Sequence, residues 1–184
     1  TWSRDNSLAS AHNTKNDSGL SQKGKEAVKL LNKNKIMIDV SHASDMTVED
    51  ILKYSSSPVY ASHSNTRNIC KSNRNLTDNH IAKIASKGGI IGINFHSPHL
   101  SCKNESSVDD VYRHIVHIRK IAGVKAIALG SDFDGHISPP KDLKGLDNIS
   151  ALIKKLKSEN WTEEEIEDIL YRNFLRFFEK VTGD

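Results

Sequence analysis

Four side chains in this sequence have types and positions that could bind a metal ion or a charged ligand: His42, His63, Arg74 and Asp132. His42 and His63 each follow a short apolar run, Lys35–Val40 and Pro58–Ala61, by two residues. Imidazole suits zinc, and a catalytic zinc keeps one position open for water or substrate. A lone histidine is more often structural, and two are too few for a protein zinc site, so further ligands have to come from elsewhere. Asp132 stands with a second acid, Asp134, in the segment G-S-D-F-D-G (Gly130 to Gly135), whose glycines let the backbone turn sharply and approach a ligand. A metal ligand, a proton shuttle, a cation-binding acid and a plain Asx turn all fit Asp132 there. Arg74 and Asn75 end a polar loop, Ser64 to Asn75, from which a guanidinium can grip a carboxylate bidentately or simply be solvated. His96 and His99 follow a third apolar run as rim or structural residues. For Cys70 and Cys102, a bridge between their loops and two buried reduced thiols are equally open.

The elements that must position these residues alternate. The first twenty residues are polar and read as a long surface loop. Ser21 to Asn34 reads as a helix capped by Ser21, Lys35–Val40 as a strand, Thr47 to Tyr54 as a helix and Pro58–Ala61 as a strand. Thr77 caps a helix to about Lys87, Gly88-Gly89 stops it, and Ile90–Phe95 is a strand. Val108 to Ala122 is an amphipathic helix ended by Gly123, and Val124–Leu129 is a fourth strand. Three helical stretches close the chain: Ala151–Lys157, Thr162 to about Tyr171, and Phe174–Val181. At least four apolar strands alternating with helices predict a parallel sheet covered by helices. No G-x-G-x-x-G occurs, which argues against a Rossmann domain. His42, His63, Asp132 and Asp134 would all lie at C-terminal strand ends, where (β/α)-barrel enzymes build their active sites.

Composition narrows the classes further. The chain has 184 residues, 36% hydrophobic and 27% charged. Such a length fits one domain burying about two thirds of its unfolded surface. No run of 18 apolar residues exists, so no membrane span is expected within these residues. Lys and Arg number 26 against 23 acids, a net +3 without a concentrated basic stripe, so no nucleic-acid partner is expected. The chain opens Thr1-Trp2-Ser3-Arg4, without an initiator Met or targeting segment, and is expected to be part of a longer polypeptide.

Four segments carry a resemblance: I-D-V-S-H-A-S-D (Ile38 to Asp45), A-S-H-S-N (Ala61 to Asn65), R-N-L-T-D (Arg74 to Asp78) and G-S-D-F-D-G. In order and spacing they resemble the membrane (renal-type) dipeptidases, supported by G-L-S-Q-K-G-K (Gly19 to Lys25) and N-F-L-R-F-F (Asn173 to Phe178). The resemblance covers almost the whole chain. It implies an α/β fold, the C-terminal portion of a (β/α)8 TIM barrel with about four βα units plus C-terminal helices. Residues 1–184 would then be the C-terminal part of a single dipeptidase domain whose N-terminal part is absent. The implied activity is hydrolysis of dipeptides by a hydroxide that two zinc ions activate. His42 and His63 would be ligands of one zinc, Arg74 would hold the substrate's C-terminal carboxylate, and Asp132 would bind its free amino group and handle the proton moving to the leaving amine. The family's remaining ligands, a His-x-Asp pair and a bridging Glu, are expected upstream of Thr1. At Trp2 some members carry a His that contacts the reacting centre. The cysteine loops match positions that form a disulfide in the renal enzymes, which requires an oxidising compartment.

The alternative is a non-catalytic fragment or binding-only relative that binds zinc weakly. An eight-stranded barrel typically takes about 250 residues, and a half-barrel leaves apolar sheet edges unpaired. The expected partners are therefore dipeptide substrates and either the missing N-terminal half or another copy in a homo-oligomer. The abundance of Lys, Asn and Ile leans toward a bacterial cytoplasmic location.

Overall fold

Hydroxyl side chains start the principal helices. In the computed structural model, which describes residues 1–183, Ser21 Oγ accepts the Gly24 N–H at 3.0 Å at the head of α1 (Gln22–Lys33). Ser44 caps α2 (Asp45–Tyr54) and Thr77 caps α3 (Asp78–Ser86) in the same way. After the short α4 (Ser97–Leu100), the Asp110 carboxylate accepts the Ser107 N–H at 2.8 Å to open α5 (Val108–Ala122). Thr162 and Glu165 cap α7 (Glu163–Glu167) reciprocally, behind α6 (Ile149–Ser158) and ahead of α8 (Asn173–Thr182). Each cap satisfies an N–H that the helix cannot pair internally, worth about 1 kcal/mol.

Three parallel strands, β1 (Tyr60–Ala61), β2 (Ile90–Ile93) and β3 (Ile127–Leu129), pair in the order β1-β2-β3. Successive side chains point to opposite faces. Ala61, Ile91, Ile93 and Ile127 join Ile81 and Ile84 of α3 and Val111, Ile115 and Ile118 of α5 in the main core. Ile90 and Ala128 face the other way, onto Phe177 and Val181 of α8. Burial on both faces explains why β2 reads as a continuous apolar run rather than an alternation. Two glycines then let the chain beyond β1 lie across the ends of its neighbours. A Cβ on Gly130 would stand 1.8 Å from the Ser62 carbonyl oxygen, and one on Gly92 2.2 Å from it. Any side chain at either position would push Ser62 and His63 away from the sheet.

The structure departs from the sequence reading at several boundaries. Lys35–Val40 is not a ladder strand; it makes one parallel bridge, Asp39 to Tyr60. Lys35 has φ 55° and the Ile36 N–H bonds back to Leu31, so closing α1 consumes the residues that would have begun the strand. Val124–Ala126 forms a 3-10 turn after Gly123, which confines the last strand to Ile127–Leu129. Ser44 rather than a later residue caps α2, so that helix starts ahead of Thr47. The two C-terminal helices predicted after Thr162 form one run through a π turn at Asp168–Arg172. The N-terminal twenty residues are not simply a surface loop. Ser10, Ala11 and Leu20 are buried, and bridges join Ala9 to Leu20 and Ala11 to Ala43.

Candidate active site

His42 and His63 meet at the mouth of the sheet, with their Nε2 atoms 3.0 Å apart. Each is aimed by its backbone and by a hydroxyl. His42 takes φ 68°, a left-handed conformation uncommon outside glycine, which turns its ring back over the strand ends. Its Nδ1 lies 3.3 Å from Ser3 Oγ. His63 is aimed by a relay. The Asp39 carboxylate can only accept, so Ser62 Oγ donates to Asp39 Oδ2 at 2.5 Å. Ser62 Oγ, 2.6 Å from His63 Nδ1, then receives the Nδ1–H, which leaves the His63 Nε2 lone pair facing His42. Burial, then the Arg74 charge, lowers both pKa values; His63 and His12 push that of His42 down further, to about 3. Both rings are therefore neutral at pH 7, the form in which imidazole binds metals.

Across the same cavity, of about 620 Å³, stand Arg74 and Asp132. Arg74 is 6% exposed; Nη1 donates to Ser64 Oγ at 3.0 Å and Nη2 to the His63 carbonyl at 3.1 Å. Burial pulls its pKa down to about 10, so it remains a cation at neutral pH. Asp132 has φ 64°, and its Oδ2 accepts from Asn94 Nδ2 at 3.1 Å. His96 and His99 also line this cavity. Asn75 does not: its amide donates to the carbonyls of Cys70 and His99 and holds the loop shape. Asp134 is exposed and lines a neighbouring cavity with Lys144 and Asp147. Cys70 and Cys102 are joined in a disulfide with Cα atoms 5.3 Å apart, tying the Arg74 loop to the end of α4.

Several residues of this site escaped the sequence reading. Ser62 and Asp39 were legible in principle, since a serine precedes each histidine (Ser41-His42, Ser62-His63) and an acid, Asp39, stands next to last in the apolar run before His42. Asn94 and Asn65 carried no such signal. Their value lies in contacts between strand ends far apart in sequence.

Two nitrogen ligands at about 2.0–2.1 Å from a tetrahedral zinc stand about 3.3 Å apart. The 3.0 Å pair, neutral and with one lone pair already presented, fits two of a zinc ion's ligands. Among the described residues no group of three or more His, Cys, Asp or Glu side chains could hold a metal ion, so the fit extends to two donors only.

A parallel α/β sheet whose strand ends converge on an imidazole pair, a buried guanidinium and a carboxylate is the arrangement found at the C-terminal face of (β/α) barrels. The family model described as membrane dipeptidase (peptidase family M19) matches residues 1–183, and the chain belongs to that family. The resemblance read from the four sequence segments is thereby borne out. Human Dipeptidase 3 is 33% identical over 180 residues, 98% of this chain and 37% of the relative. An uncharacterized dipeptidase of Schizosaccharomyces pombe is 34% identical over 168 residues, 90% of this chain and 40% of the relative. A Rhodobacter sphaeroides metallo peptidase, solved with a phosphinate mimic of the dipeptide L-Ala-D-Ala, superposes with a TM-score of 0.92. It shares 27% identity and is matched over 98% of this chain and 54% of its own. The chain thus spans under half the length of these curated relatives and just over half of that solved structure. Its fold is a partial (β/α) barrel. No helix among the described residues is long and apolar enough to cross a membrane.

Proposed function

We propose that the protein carrying this chain is a zinc-dependent dipeptidase, with residues 1–184 forming the C-terminal part of its single barrel domain and part of its active site. The observation that carries this reading is one cavity holding a fixed cation, Arg74, and a fixed anion, Asp132, around a paired imidazole. A dipeptide presents a carboxylate at one end and an ammonium at the other, so a dipeptidase needs both charges at fixed places.

The residues divide the work. Arg74 uses two of its five N–H groups on Ser64 and His63 and keeps three for the substrate carboxylate. Asp132 pairs with the substrate ammonium, takes a proton from the attacking water and returns it to the departing amine. His42 and His63 would hold one of two zinc ions through Nε2. Bound zinc supplies polarisation of the scissile carbonyl and a lowered pKa for water. Asp39 and Ser62 orient His63, and the other zinc ligands come from outside these residues.

The test is release of both amino acids from a dipeptide by the whole protein with zinc supplied, including dipeptides with a D-residue at the C-terminal side. Asp132→Asn should lower kcat by about 10²–10⁴ while zinc content stays unchanged. Failure to cleave any dipeptide with zinc present would overturn the reading.

A second reading applies to the 184 residues alone and rests on the two imidazole donors that the described residues supply. By themselves they should bind zinc weakly and hydrolyse nothing. Stoichiometric tight zinc with peptidase activity in that species would refute it. The disulfide also bears on location. Such bridges persist in oxidising compartments, which favours a site outside the cytoplasm over the cytoplasmic expectation from composition. Thiol counting on protein drawn from its native compartment decides this: two free thiols would restore the cytoplasmic reading.

A further inference from the structure

Asn94 is 2% exposed, and its side chain is aimed from both ends. Its Oδ1 accepts the His96 N–H at 2.6 Å, which fixes the amide the other way round at its far end. Nδ2 must therefore face Asp132, and it donates to Oδ2 at 3.1 Å. The Asn94 backbone is fixed as well. Asn65, fully buried, donates from Nδ2 to the Asn94 carbonyl at 3.0 Å and accepts the Asn94 N–H on Oδ1 at 3.1 Å. Thus Asn65 beyond β1, Asn94 at the end of β2 and Asp132 beyond β3 form one chain of hydrogen bonds across three adjacent strand ends.

Asp132 needs such a support. Its backbone is in the left-handed region, and Gly135 folds back so that its N–H bonds the Asp132 carbonyl at 2.9 Å. A Cβ on Gly135 would lie 2.2 Å from Asp132 Oδ1, so the turn leaves that oxygen room without fixing it. The carboxylate is fixed at Oδ2 by Asn94, while Oδ1 lies against Gly135. A buried donor to a carboxylate is a charge-assisted bond with no water to replace it.

We propose that Asn94 is a positioning residue for the Asp132 carboxylate, held in turn by Asn65, so that the acid meets the substrate's amino end in one orientation. This rests on the dipeptidase reading of Asp132. It requires that the effect of Asn94 on the ligand run through Asp132, which separates it from an amide whose part ends with accepting the His96 N–H.

The experiment is a double-mutant cycle in the whole, zinc-loaded protein. Asn94→Asp keeps the shape and still accepts from His96, but it sets an acceptor against Asp132. Asn94→Ala removes the contact. The readouts are kcat and KM on a dipeptide, affinity for a phosphinate dipeptide analogue by calorimetry, zinc content and thermal midpoint. Asn94→Ala should lower kcat/KM about 10–100-fold and Asn94→Asp by more, with zinc content unchanged and analogue affinity reduced in step. In an Asp132→Asn background the same substitutions should leave analogue affinity unchanged, because their route to the ligand has been removed. Full activity in Asn94→Asp, or an equal loss of affinity with and without Asp132, overturns the proposal. If Asn94→Ala does not fold, Asn94→Asp carries the cycle alone. Full activity in Asp132→Asn would instead strike the underlying reading of Asp132, and the inference with it.

Discussion

The two walls of the cavity are built to different degrees of completeness. On one wall Arg74 and Asp132 are both anchored by groups within this chain: Ser64 and the His63 carbonyl for the cation, Asn94 and through it Asn65 for the anion. On the other wall His42 and His63 have their outward nitrogens set by Ser3, Ser62 and Asp39, yet they offer two inward nitrogens, and no third donor joins them among the described residues. The proposed recognition wall is anchored within this chain, whereas the proposed metal wall has two donors among the described residues. Hydrogen-bonded recognition can be completed between neighbouring strand ends. A metal shell needs donors from directions that three adjacent strands do not reach.

Breaking the metal wall should give the largest effect. Replacing His42 or His63 by Ala in the whole protein should lower zinc affinity by about 10³ or more and abolish turnover. Zinc titration and dipeptide assay check this, and a variant retaining both would remove that histidine from the site. The recognition wall should fail differently. Arg74→Lys loses the planar fork, so KM for a dipeptide should rise by about 10²–10³, while a substrate whose C-terminal carboxylate is amidated should show little further change. Equal losses on both substrates would mean that Arg74 is structural.

A smaller effect sharpens the same contrast through stability. Fully buried His114 braces the recognition wall: its Nδ1 accepts the Thr66 N–H at 3.2 Å, so its Nε2–H donates to the Leu100 carbonyl at 2.9 Å. Burial lowers its pKa to about 4; the nearby Arg113 and His117 charges push the same way, and the Leu100 bond opposes. Between the unfolded value of about 6.5 and that folded value the unfolded chain binds the extra proton. Stability should therefore fall as pH drops through this window, by on the order of 2–3 kcal/mol. His114→Gln can make both hydrogen bonds without titrating. Urea unfolding from pH 7 to pH 4 should show a flatter profile for the variant, and an identical profile would exclude His114 as the cause.

The sequence by itself determined the kind of molecule. Apolar runs alternating with capped helices dictated a parallel sheet between helices, because a strand buried on both faces must be apolar throughout, as in Ile90–Ile93. His42, His63 and Asp132 were legible because short-range patterns put them beside strand ends, and Arg74 through the R-N-L-T-D segment of its polar loop. The tertiary structure decided what those residues can do. Closing α1 through Lys35 and Ile36 reduced an expected strand to one bridge, an outcome set by competition for backbone hydrogen bonds rather than by apolar pattern. The positive φ of His42 and Asp132, the close approach of Ser62 to Gly92 and Gly130, and the Asn65–Asn94–Asp132 chain depend on backbones separated by many residues. Local sequence fixes which side chains stand at the strand ends. Only packing of the ends against one another fixes their direction, their charge state and the atoms they leave free.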